Sequence, residues 1–547
     1  MSRLTEKPDK HQVELGNKSF GKGKRWRLRL SLLLLPAVGM PASAMADYPP
    51  NGPDIPTIYL NRAPRRPERP PPPGPWDQQS QWNTEFVGYD SLDGRSTYQP
   101  LIVHQDAREI AYMAHHAGVA TNRLTGEMEP NGTSIIDVTN ARRPRYLAHV
   151  PGPPGSVDAA GSQMVRVCSG DVLPRGQRGK WYMLRTHGNS SGMEALESQE
   201  IFDVTDPAHP TFLTTVVGKL SNTHKNWWEC DTGIAYLVSG NVPDSTNPNL
   251  WHHSGSNQHL KIYDLSDPAN PVYIRDFGLV GQEPNATFYE GIVNPPSGIH
   301  GPISAGTTKN RVYMAYGVGS NGVFQIVDRN VLLHGCDGSK TCPFYPTTQE
   351  MLAPQKGYLT MSPDQGGHSS FPVFGLPIPE FHDFSLNRRD IVILVSEAGG
   401  NFCEEAPHLA FLVDVTNEST PFPISTLRVP EFPGDFCNKG GRFGSHAVAE
   451  SFYPPYYGKL AIISWFTAGV RIFDIRDPFD PEEVGYFIPA PNENTIATCD
   501  PSGRCAIAIQ TNNVEVDDRG LIYLADRAGT GMHIVKLTGH ARRVVEP

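Results

Sequence analysis

The sequence predicts an all-β fold, a seven-bladed β-propeller, from three observations: a recurring strand-and-turn phrase, an abundance of Gly and Pro, and an N-terminal segment able to close a ring. The most complete copy of the phrase is residues 470–478, a short apolar strand that ends at Asp474 and leads into a proline turn. A chain that repeats one such unit is a repeat protein, and radially arranged units of four short strands form a β-propeller.

Copies of the phrase divide the chain into seven units. Six copies carry an aspartate in the same register, 60 to 86 residues apart, and Lys536 takes that place in the seventh. The aspartates are Asp137, Asp203, Asp264, Asp328, Asp414 and Asp474. A strand precedes each copy, at residues 110–114, 181–185, 234–238, 311–315, 391–395, 460–464 and 521–525. The units are longer than common propeller repeats, so we expect inserted loops, the largest at about residues 330–365.

The repeated aspartate could be taken for a catalytic or calcium-binding set. A residue that occurs once per blade beside a proline turn is more simply an acceptor for backbone N–H groups that fixes the turn. We therefore expect these aspartates to be structural.

Composition agrees with many short strands and excludes one class of function. The 547 residues include 52 Gly and 51 Pro, nearly a fifth of the chain, which suits tight turns between strands. The formal charge of −10 is opposite to the basic face that nucleic-acid binding requires. We expect a monomer that binds no nucleic acid.

The N-terminus has the features of an export signal over residues 1–46. A basic region precedes an apolar stretch at residues 30–40, and small residues allow cleavage after Ala44 or Ala46. A membrane anchor is the alternative, but the apolar stretch is too short to span a bilayer. No other stretch is long and apolar enough to do so. We therefore expect a periplasmic or secreted protein with no transmembrane segment after signal cleavage.

Two further regions follow the signal. Residues 47–83 are rich in proline, which favours an extended tether, and residues 84–540 are expected to form the propeller. Residues 84–89 are similar to the last strand of the sixth unit, residues 482–487, whereas the seventh unit ends without such a strand. We therefore expect residues 84–89 to join the last blade and close the ring.

Eight cysteines suit an exported protein with disulfide bonds. The predicted pairs are Cys336–Cys342, Cys499–Cys505, Cys168–Cys230 and Cys403–Cys437. The first two pairs each enclose a loop of five residues, and the last two join neighbouring repeats, a placement that sequence cannot establish securely. A zinc cluster is the competing interpretation, but no two cysteines have the C-x-x-C spacing.

The phrase I-x-D-V-x-D-P, present at residues 201–207, resembles the LVIVD repeat of exported bacterial β-propeller proteins. The resemblance covers nearly the whole chain after residue 84. It implies the propeller fold but no particular activity. Because one fold hosts many chemistries, function has to be argued from a site.

The candidate site is a set of histidines that open the innermost strand of four successive units. They are His224, His300, His368 and His446. A glycine lies within two residues before three of them, which would let the backbone approach the channel axis closely. His382 is a second candidate in the fifth unit. The matching places hold Gln163 in the second unit and Asn512 with Asn513 in the seventh.

Four imidazoles from consecutive blades could converge on one metal ion. Imidazole ligands suit transition metals such as Fe, Cu or Zn. Glu229, Glu397 and Glu450 lie a few residues after candidate channel positions, and we expect them to orient the imidazoles. The alternative is that these histidines only form hydrogen bonds with neighbouring strands.

These observations predict an exported propeller whose His-lined channel mouth binds a metal and a small molecule, with metal-dependent oxidoreductase activity as the leading hypothesis. The alternative is a non-enzymatic propeller that recognises protein or glycan at the cell envelope. The first hypothesis requires nitrogen atoms close to one point, and the second requires dispersed histidines with an exposed apolar patch. No nucleophile elbow, phosphate-binding loop or zinc-protease helix motif indicates another chemistry.

Overall fold

Short β-strands make up most of the regular structure. The computed structural model describes residues 70–75, 77–153, 161–188, 197–241, 251, 258–284, 298–317, 322–334, 346–361, 364–378, 388–432, 434–453 and 455–546, which all belong to one compact unit. The predicted export signal, the Cys336–Cys342 loop and His382 lie outside these residues. Within the described residues, no helix combines the length and the apolar character needed to cross a membrane.

Thirty-three strands are present in the described residues. The first nine are β1 Ser80–Trp82, β2 Thr84–Asp90, β3 Thr97–Gln105, β4 Arg108–His116, β5 Val119–Thr121, β6 Met128–Pro130, β7 Thr133–Asp137, β8 Arg145–Val150 and β9 Gly161–Ser162. The next eight are β10 Val165–Ser169, β11 Trp181–His187, β12 Glu197–Asp203, β13 Thr211–Ser221, β14 Asn226–Trp228, β15 Ile234–Asn241, β16 His259–Asp264 and β17 Val272–Phe277.

The second half of the chain continues the pattern. Eight strands follow: β18 Ile299–Ser304, β19 Arg311–Tyr316, β20 Val323–Asp328, β21 Gln355–Thr360, β22 Gly367–Pro377, β23 Arg388–Ser396, β24 Ala410–Asp414 and β25 Phe422–Leu427. The last eight are β26 Leu460–Ser464, β27 Val470–Asp474, β28 Glu482–Ile488, β29 Ala497–Cys499, β30 Cys505–Ile507, β31 Thr511–Val516, β32 Leu521–Asp526 and β33 Met532–Leu537. Each of the seven strands predicted before an aspartate phrase is present, as β4, β11, β15, β19, β23, β26 and β32.

The strands form antiparallel sheets, so the prediction of an all-β propeller is confirmed. Five sheets are separate single blades: β3-β4-β7-β8 with β9 beside β4, β18–β21, β22–β25, β26-β27-β28-β1 and β31-β32-β33-β2. The prediction of seven separate blades is not met. The second and third units form one eight-stranded sheet, because the long strand β13 runs on until Leu220 and Ser221 pair with the end of β15.

The N-terminal segment closes the ring as expected. Strand β2 pairs with the C-terminal strand β33, from Thr84 opposite Leu537 to Asp90 opposite Met532. The propeller begins slightly earlier than residue 84, because β1 pairs with β28 on the neighbouring blade and the Tyr486 hydroxyl donates to the Pro71 carbonyl. The end of the proline-rich segment is therefore held against the propeller.

Apolar side chains fill the spaces between successive sheets. Where the last blade meets the first, Tyr523 and Ile534 pack with Ala111 and Ile136, and all four side chains are fully buried. Burial of a large apolar side chain contributes roughly 1.5–3 kcal/mol. Similar clusters lie between the other neighbouring sheets, which leaves the innermost strands to line the central axis.

Short helices lie outside the sheets. They are α1 Gly306–Lys309, α2 Arg329–His334, α3 Thr348–Leu352 and α4 Gly539–Val545, with 3-10 turns at Leu92–Gly94 and Phe436–Lys439. Helices α2 and α3 lie in the predicted large insertion. Helix α4 runs past the predicted end of the propeller at residue 540 and buries Ala541 and Val544 against it.

The repeated aspartates are structural, as predicted. In five copies a carboxylate oxygen accepts the backbone N–H two residues further on, at 2.8 to 3.0 Å. These aspartates are Asp137, Asp203, Asp264, Asp414 and Asp474. In the sixth copy, Asp328 accepts the N–H of Val331 at 3.0 Å. The phrase therefore encodes a turn in each of these units.

Three of the four predicted disulfides lie in the described residues, and all three are confirmed. They are Cys168–Cys230, Cys403–Cys437 and Cys499–Cys505. The first joins the inner strand β10 to the residues just after the inner strand β14, and so ties together the two halves of the eight-stranded sheet.

Candidate functional site

The four predicted histidines come together at the axis. His300 lies on β18, His368 lies on β22, and His224 precedes β14 by two residues. His446 begins the segment that reaches β26 through a bridge between Val448 and Ile463. We call His224, His300, His368 and His446 the imidazole cluster.

The imidazole rings follow one another in contact. Ring centroids are 4.1 Å apart from His224 to His300, 4.0 Å from His300 to His368 and 4.1 Å from His368 to His446. The Nε2 atoms of His224 and His300 are 2.7 Å apart. His224 is half-buried, whereas the other three are buried. The cluster is therefore a continuous array with one partly exposed end.

A glycine allows one of these close approaches. Gly444 has φ of +151°, and a Cβ at this position would lie 2.6 Å from the Cβ of Ala398. An L side chain here would be strained and would clash, so glycine is required for the backbone to bring His446 to the axis.

Glu397 is the carboxylate of this site. Its oxygens lie 3.6 Å from His300 Nε2 and 3.5 Å from His446 Nε2, and Arg442 donates to it at 3.0 Å. Ligand atoms of His300, His368 and Glu397 all lie within 4.8 Å of one another. These three residues could hold a metal ion. His224 extends the set through its contact with His300, and His446 extends it through Glu397.

Burial sets the charge state of the cluster. It lowers the pKa of His300 and His368 well below the ordinary value of 6.5, helped by the neighbouring histidines, and lowers the pKa of His446. Burial alone would raise the pKa of Glu397, but His446, His300 and Arg442 outweigh it and hold that pKa well below 4.5. At neutral pH His300, His368 and His446 are therefore uncharged, the form that binds metals, beside an ionised carboxylate.

Tyr98 is a central residue that the histidine pattern of the sequence did not reveal. It lies on β3, the inner strand of the first unit, and its hydroxyl oxygen is 3.0 Å from His368 Nε2. Its position, twelve residues before the strand at residues 110–114, falls within the 10 to 14 residues that separate His224, His300 and His446 from the strands that follow them, and could have pointed to it.

The other matching positions also lie at the channel. Gln163 Nε2 is 3.1 Å from His116 Nδ1, and the backbone carbonyl of Asn512 is 2.6 Å from His446 Nδ1. His116, which was not expected in the site, has its ring centroid 5.2 Å from that of Tyr98. The inner strands of at least six units thus supply residues to one region.

Contrary to the prediction, Glu229 does not orient the imidazoles. Its carboxylate accepts hydrogen bonds from Arg329 at 2.6 Å, from the Tyr236 hydroxyl at 2.9 Å and from Ser304 at 2.5 Å. The charge of Arg329 on the adjacent helix α2 explains this, because a buried carboxylate is most stable beside a paired cation.

Glu450 is likewise engaged elsewhere. Its two oxygens pair with Lys225 and, at 2.7 Å, with Arg166 Nη2. Glu515, on β31, is fully buried nearby, and burial raises its pKa to about 8. We call Arg166, Lys225, Glu450 and Glu515 the ionic layer. These ionisable residues come from the inner segments of four units, and no motif in the sequence groups them.

A second group of possible metal ligands lies at the surface. Ligand atoms of His104, Glu109 and Asp518 are within 4.8 Å of one another, and His104 and Asp518 are exposed. His104 Nδ1 is 2.5 Å from a Glu109 oxygen, and this hydrogen bond raises the pKa of the histidine. A surface ion pair is sufficient to account for this group.

Comparison with known proteins gives little beyond the fold. No protein-family model and no curated protein matches the chain. Similar solved structures include Sqt1 from Chaetomium thermophilum at 10% identity, covering 83% of this chain and 99% of that one, with a TM-score of 0.41. The Dos1 propeller matches at 9% identity, 84% and 96% coverage and a TM-score of 0.41. A hypothetical selenium-binding protein from Sulfolobus tokodaii matches at 11% identity, 75% and 81% coverage and a TM-score of 0.41. Likenesses of this degree carry no functional information.

Proposed function

We propose that this protein holds a transition metal at the channel mouth and uses it on a small molecule, in an oxidoreductase reaction. The proposed ligands are the imidazole cluster and Glu397. Four nitrogens and a carboxylate oxygen suit Fe, Cu or Zn. Convergence of the imidazoles supports this function over the alternative of a binding propeller for protein or glycan, which would leave the histidines dispersed.

The observation that carries the proposal is a buried ring nitrogen of His446 that faces the carboxylate of Glu397. A carbonyl oxygen only accepts, so His446 Nδ1 carries the proton that it donates to Asn512. The uncharged ring then presents a lone pair at Nε2, which is buried and has no hydrogen-bond partner among the described residues. That lone pair lies 3.5 Å from a Glu397 oxygen. A lone pair that faces a carboxylate oxygen carries an electrostatic cost. Arg442 offsets part of that cost from one side of the carboxylate, and a cation bound between His446 and Glu397 would remove the rest.

The residues of the chain define what such a site can do. A bound metal would supply Lewis acidity or a redox couple. Arg442 donates to Glu397 and holds its carboxylate towards the histidines. The half-buried His224 marks the side from which a small molecule would reach the centre.

The test is the metal content of the mature protein, purified without an affinity histidine tag and measured by mass spectrometry. We expect near-stoichiometric Fe, Cu or Zn, lost in His446→Ala and in Glu397→Gln. His209→Ala is the matched control, because His209 is exposed and its ring bonds to the side chain of Asp206 at the surface. A folded wild-type protein that stays metal-free after incubation with each of the three ions would contradict the proposal.

Three finer assignments belong to the same proposal. We infer seven blades, because β10–β13 and β14–β17 are each a four-stranded set joined by only two residue pairs, Leu220 with Asn241 and Ser221 with Gly240. The disulfides support a periplasmic or secreted location. The turn phrase supports membership of the LVIVD-repeat family.

A further inference from the structure

Tyr98 occupies the middle of the imidazole cluster. Its side chain is buried, and its ring centroid lies 5.2 Å from that of His224, 5.7 Å from that of His446 and 6.4 Å from that of His368. The phenol oxygen is 3.0 Å from His368 Nε2. The atom with which His368 could bind a metal is therefore directed at a phenol.

The distances match those between neighbouring ligands of one metal. Two ligand atoms at about 2.0–2.1 Å from an ion, separated by an angle between about 90° and 109°, lie about 2.8–3.4 Å apart. The oxygen of Tyr98 and Nε2 of His368 meet this condition at 3.0 Å. The Nε2 atoms of His224 and His300, at 2.7 Å, lie close to it.

The backbone of Tyr98 is held in place from the last blade. Asn512 Nδ2 donates to the Tyr98 carbonyl at 3.4 Å, and Asn513 Nδ2 donates to the side chain of Gln99. Asn512 also accepts the hydrogen bond of His446 through its own carbonyl. One residue thus positions both the tyrosine and a histidine of the cluster, which is how pre-organised ligand sets are supported.

We propose that Tyr98 is a further metal ligand through its phenolate oxygen, and this inference rests on the proposed metal centre. When the metal–oxygen bond forms, the O–H bond of the phenol breaks and its proton passes to solvent. A phenolate beside a carboxylate and uncharged imidazoles is a donor set for an oxidised, strongly Lewis-acidic ion, Fe(III) or Cu(II), in preference to Zn(II).

The test is the visible spectrum of the full-length mature protein loaded with Fe(III). A phenolate bound to Fe(III) gives a phenolate-to-metal charge-transfer band, which imidazole and carboxylate ligands do not give. We expect the band in the wild type and its loss in Tyr98→Phe, with iron still bound in that variant. The matched control is Tyr112→Phe, on the neighbouring strand β4, whose hydroxyl donates to Gln105 away from the cluster. This control should keep the band.

The outcomes separate the two proposals. Wild-type protein that holds stoichiometric Fe(III) without the band, or Tyr98→Phe that retains it, overturns the Tyr98 assignment and leaves the metal centre standing. Wild-type protein that binds no Fe(III) or Cu(II) overturns the assignment whichever other ion it holds, and protein that binds no metal of any kind overturns the metal centre as well. If Tyr98→Phe does not fold, resonance Raman spectra of the wild type with ring-deuterated tyrosine decide the question, since phenolate vibrations enhanced in the band must shift.

Discussion

Arg166 and Glu450 form an ion pair across the channel, with Nη2 and Oε2 2.7 Å apart, although 284 residues separate them in the chain. Lys225, which directly follows His224 of the imidazole cluster, pairs with the second oxygen of the same carboxylate. Because the three residues come from three different units, the ionic layer fastens inner strands to one another beside the imidazole cluster.

Removal of the Glu450 charge should destabilise the fold strongly. In Glu450→Gln, Arg166 and Lys225 would stay buried without their shared anion, at a cost of roughly 3–5 kcal/mol in the free energy of unfolding. Urea denaturation at pH 7 measures the effect. Glu85→Gln is the control, because Glu85 pairs with Lys536 at the surface and should cost less than about 1 kcal/mol. Equal effects in the two variants would contradict the importance of the ionic layer.

Glu515 should make the protein less stable as the pH rises from 4.5 to 8. Burial raises the pKa of Glu515 from 4.5 to about 8 in the folded protein. Between these pH values the folded state keeps a proton that the unfolded state has lost, so the free energy of unfolding falls by up to about 1.4 kcal/mol per pH unit. Glu515→Gln should remove this part of the pH dependence. Parallel slopes for variant and wild type would show that the carboxyl is already ionised when folded.

His533 should have the opposite effect at lower pH. Burial lowers its pKa from 6.5 to about 4, and its ring packs against Tyr89 with centroids 5.0 Å apart. Between pH 6.5 and 4 the imidazole binds a proton in the unfolded state but not in the folded state. The free energy of unfolding therefore falls on acidification by up to roughly 3 kcal/mol. Melting temperatures between pH 7 and 4 should fall less in His533→Phe than in the wild type. The exposed His209→Gln control should follow the wild type.

Gly88 should not tolerate a side chain. A Cβ at Gly88 would lie 1.9 Å from the carbonyl oxygen of Ala141, so Gly88→Ala must displace β2 from its neighbour. We expect a loss of roughly 1–3 kcal/mol in thermal or urea unfolding, as for other overpacked sites. Gly74→Ala is the control, since a Cβ at Gly74 would meet no atom within 4 Å. If Gly88→Ala left the free energy of unfolding unchanged, β2 would be able to move away from Ala141 at little cost, contrary to this prediction.

Local sequence rules were sufficient for much of the fold. The second strand of each unit could be predicted because the pattern of apolar residues and the aspartate turn both depend on consecutive residues. The hydrogen bond from the N–H of Arg476 to Asp474 shows the predicted turn. The disulfide between Cys168 and Cys230 was predicted only because the two residues lie in neighbouring repeats, and the structure was needed to establish it.

These local rules could not predict which side chains of different units meet at the centre of the ring. Tyr98 meets His368 from a distant part of the chain, and Glu450 takes Lys225 and Arg166 as partners in place of an imidazole. Such choices depend on which side chains face one another at the axis, and no spacing within one unit encodes that. The fusion of two units through β13 and β15 was missed for the same reason, because it depends on how far one strand extends.

The pairing of β2 with β33 constrains the order of folding. During synthesis, β2 leaves the ribosome well before its partner β33, which is the last strand among the described residues. Until β33 arrives, the growing chain carries open strand edges that can pair wrongly with other chains. A chain that is truncated before β33 therefore cannot close the ring. Its β2 edge stays unpaired, and chaperones and proteases can bind such an exposed edge.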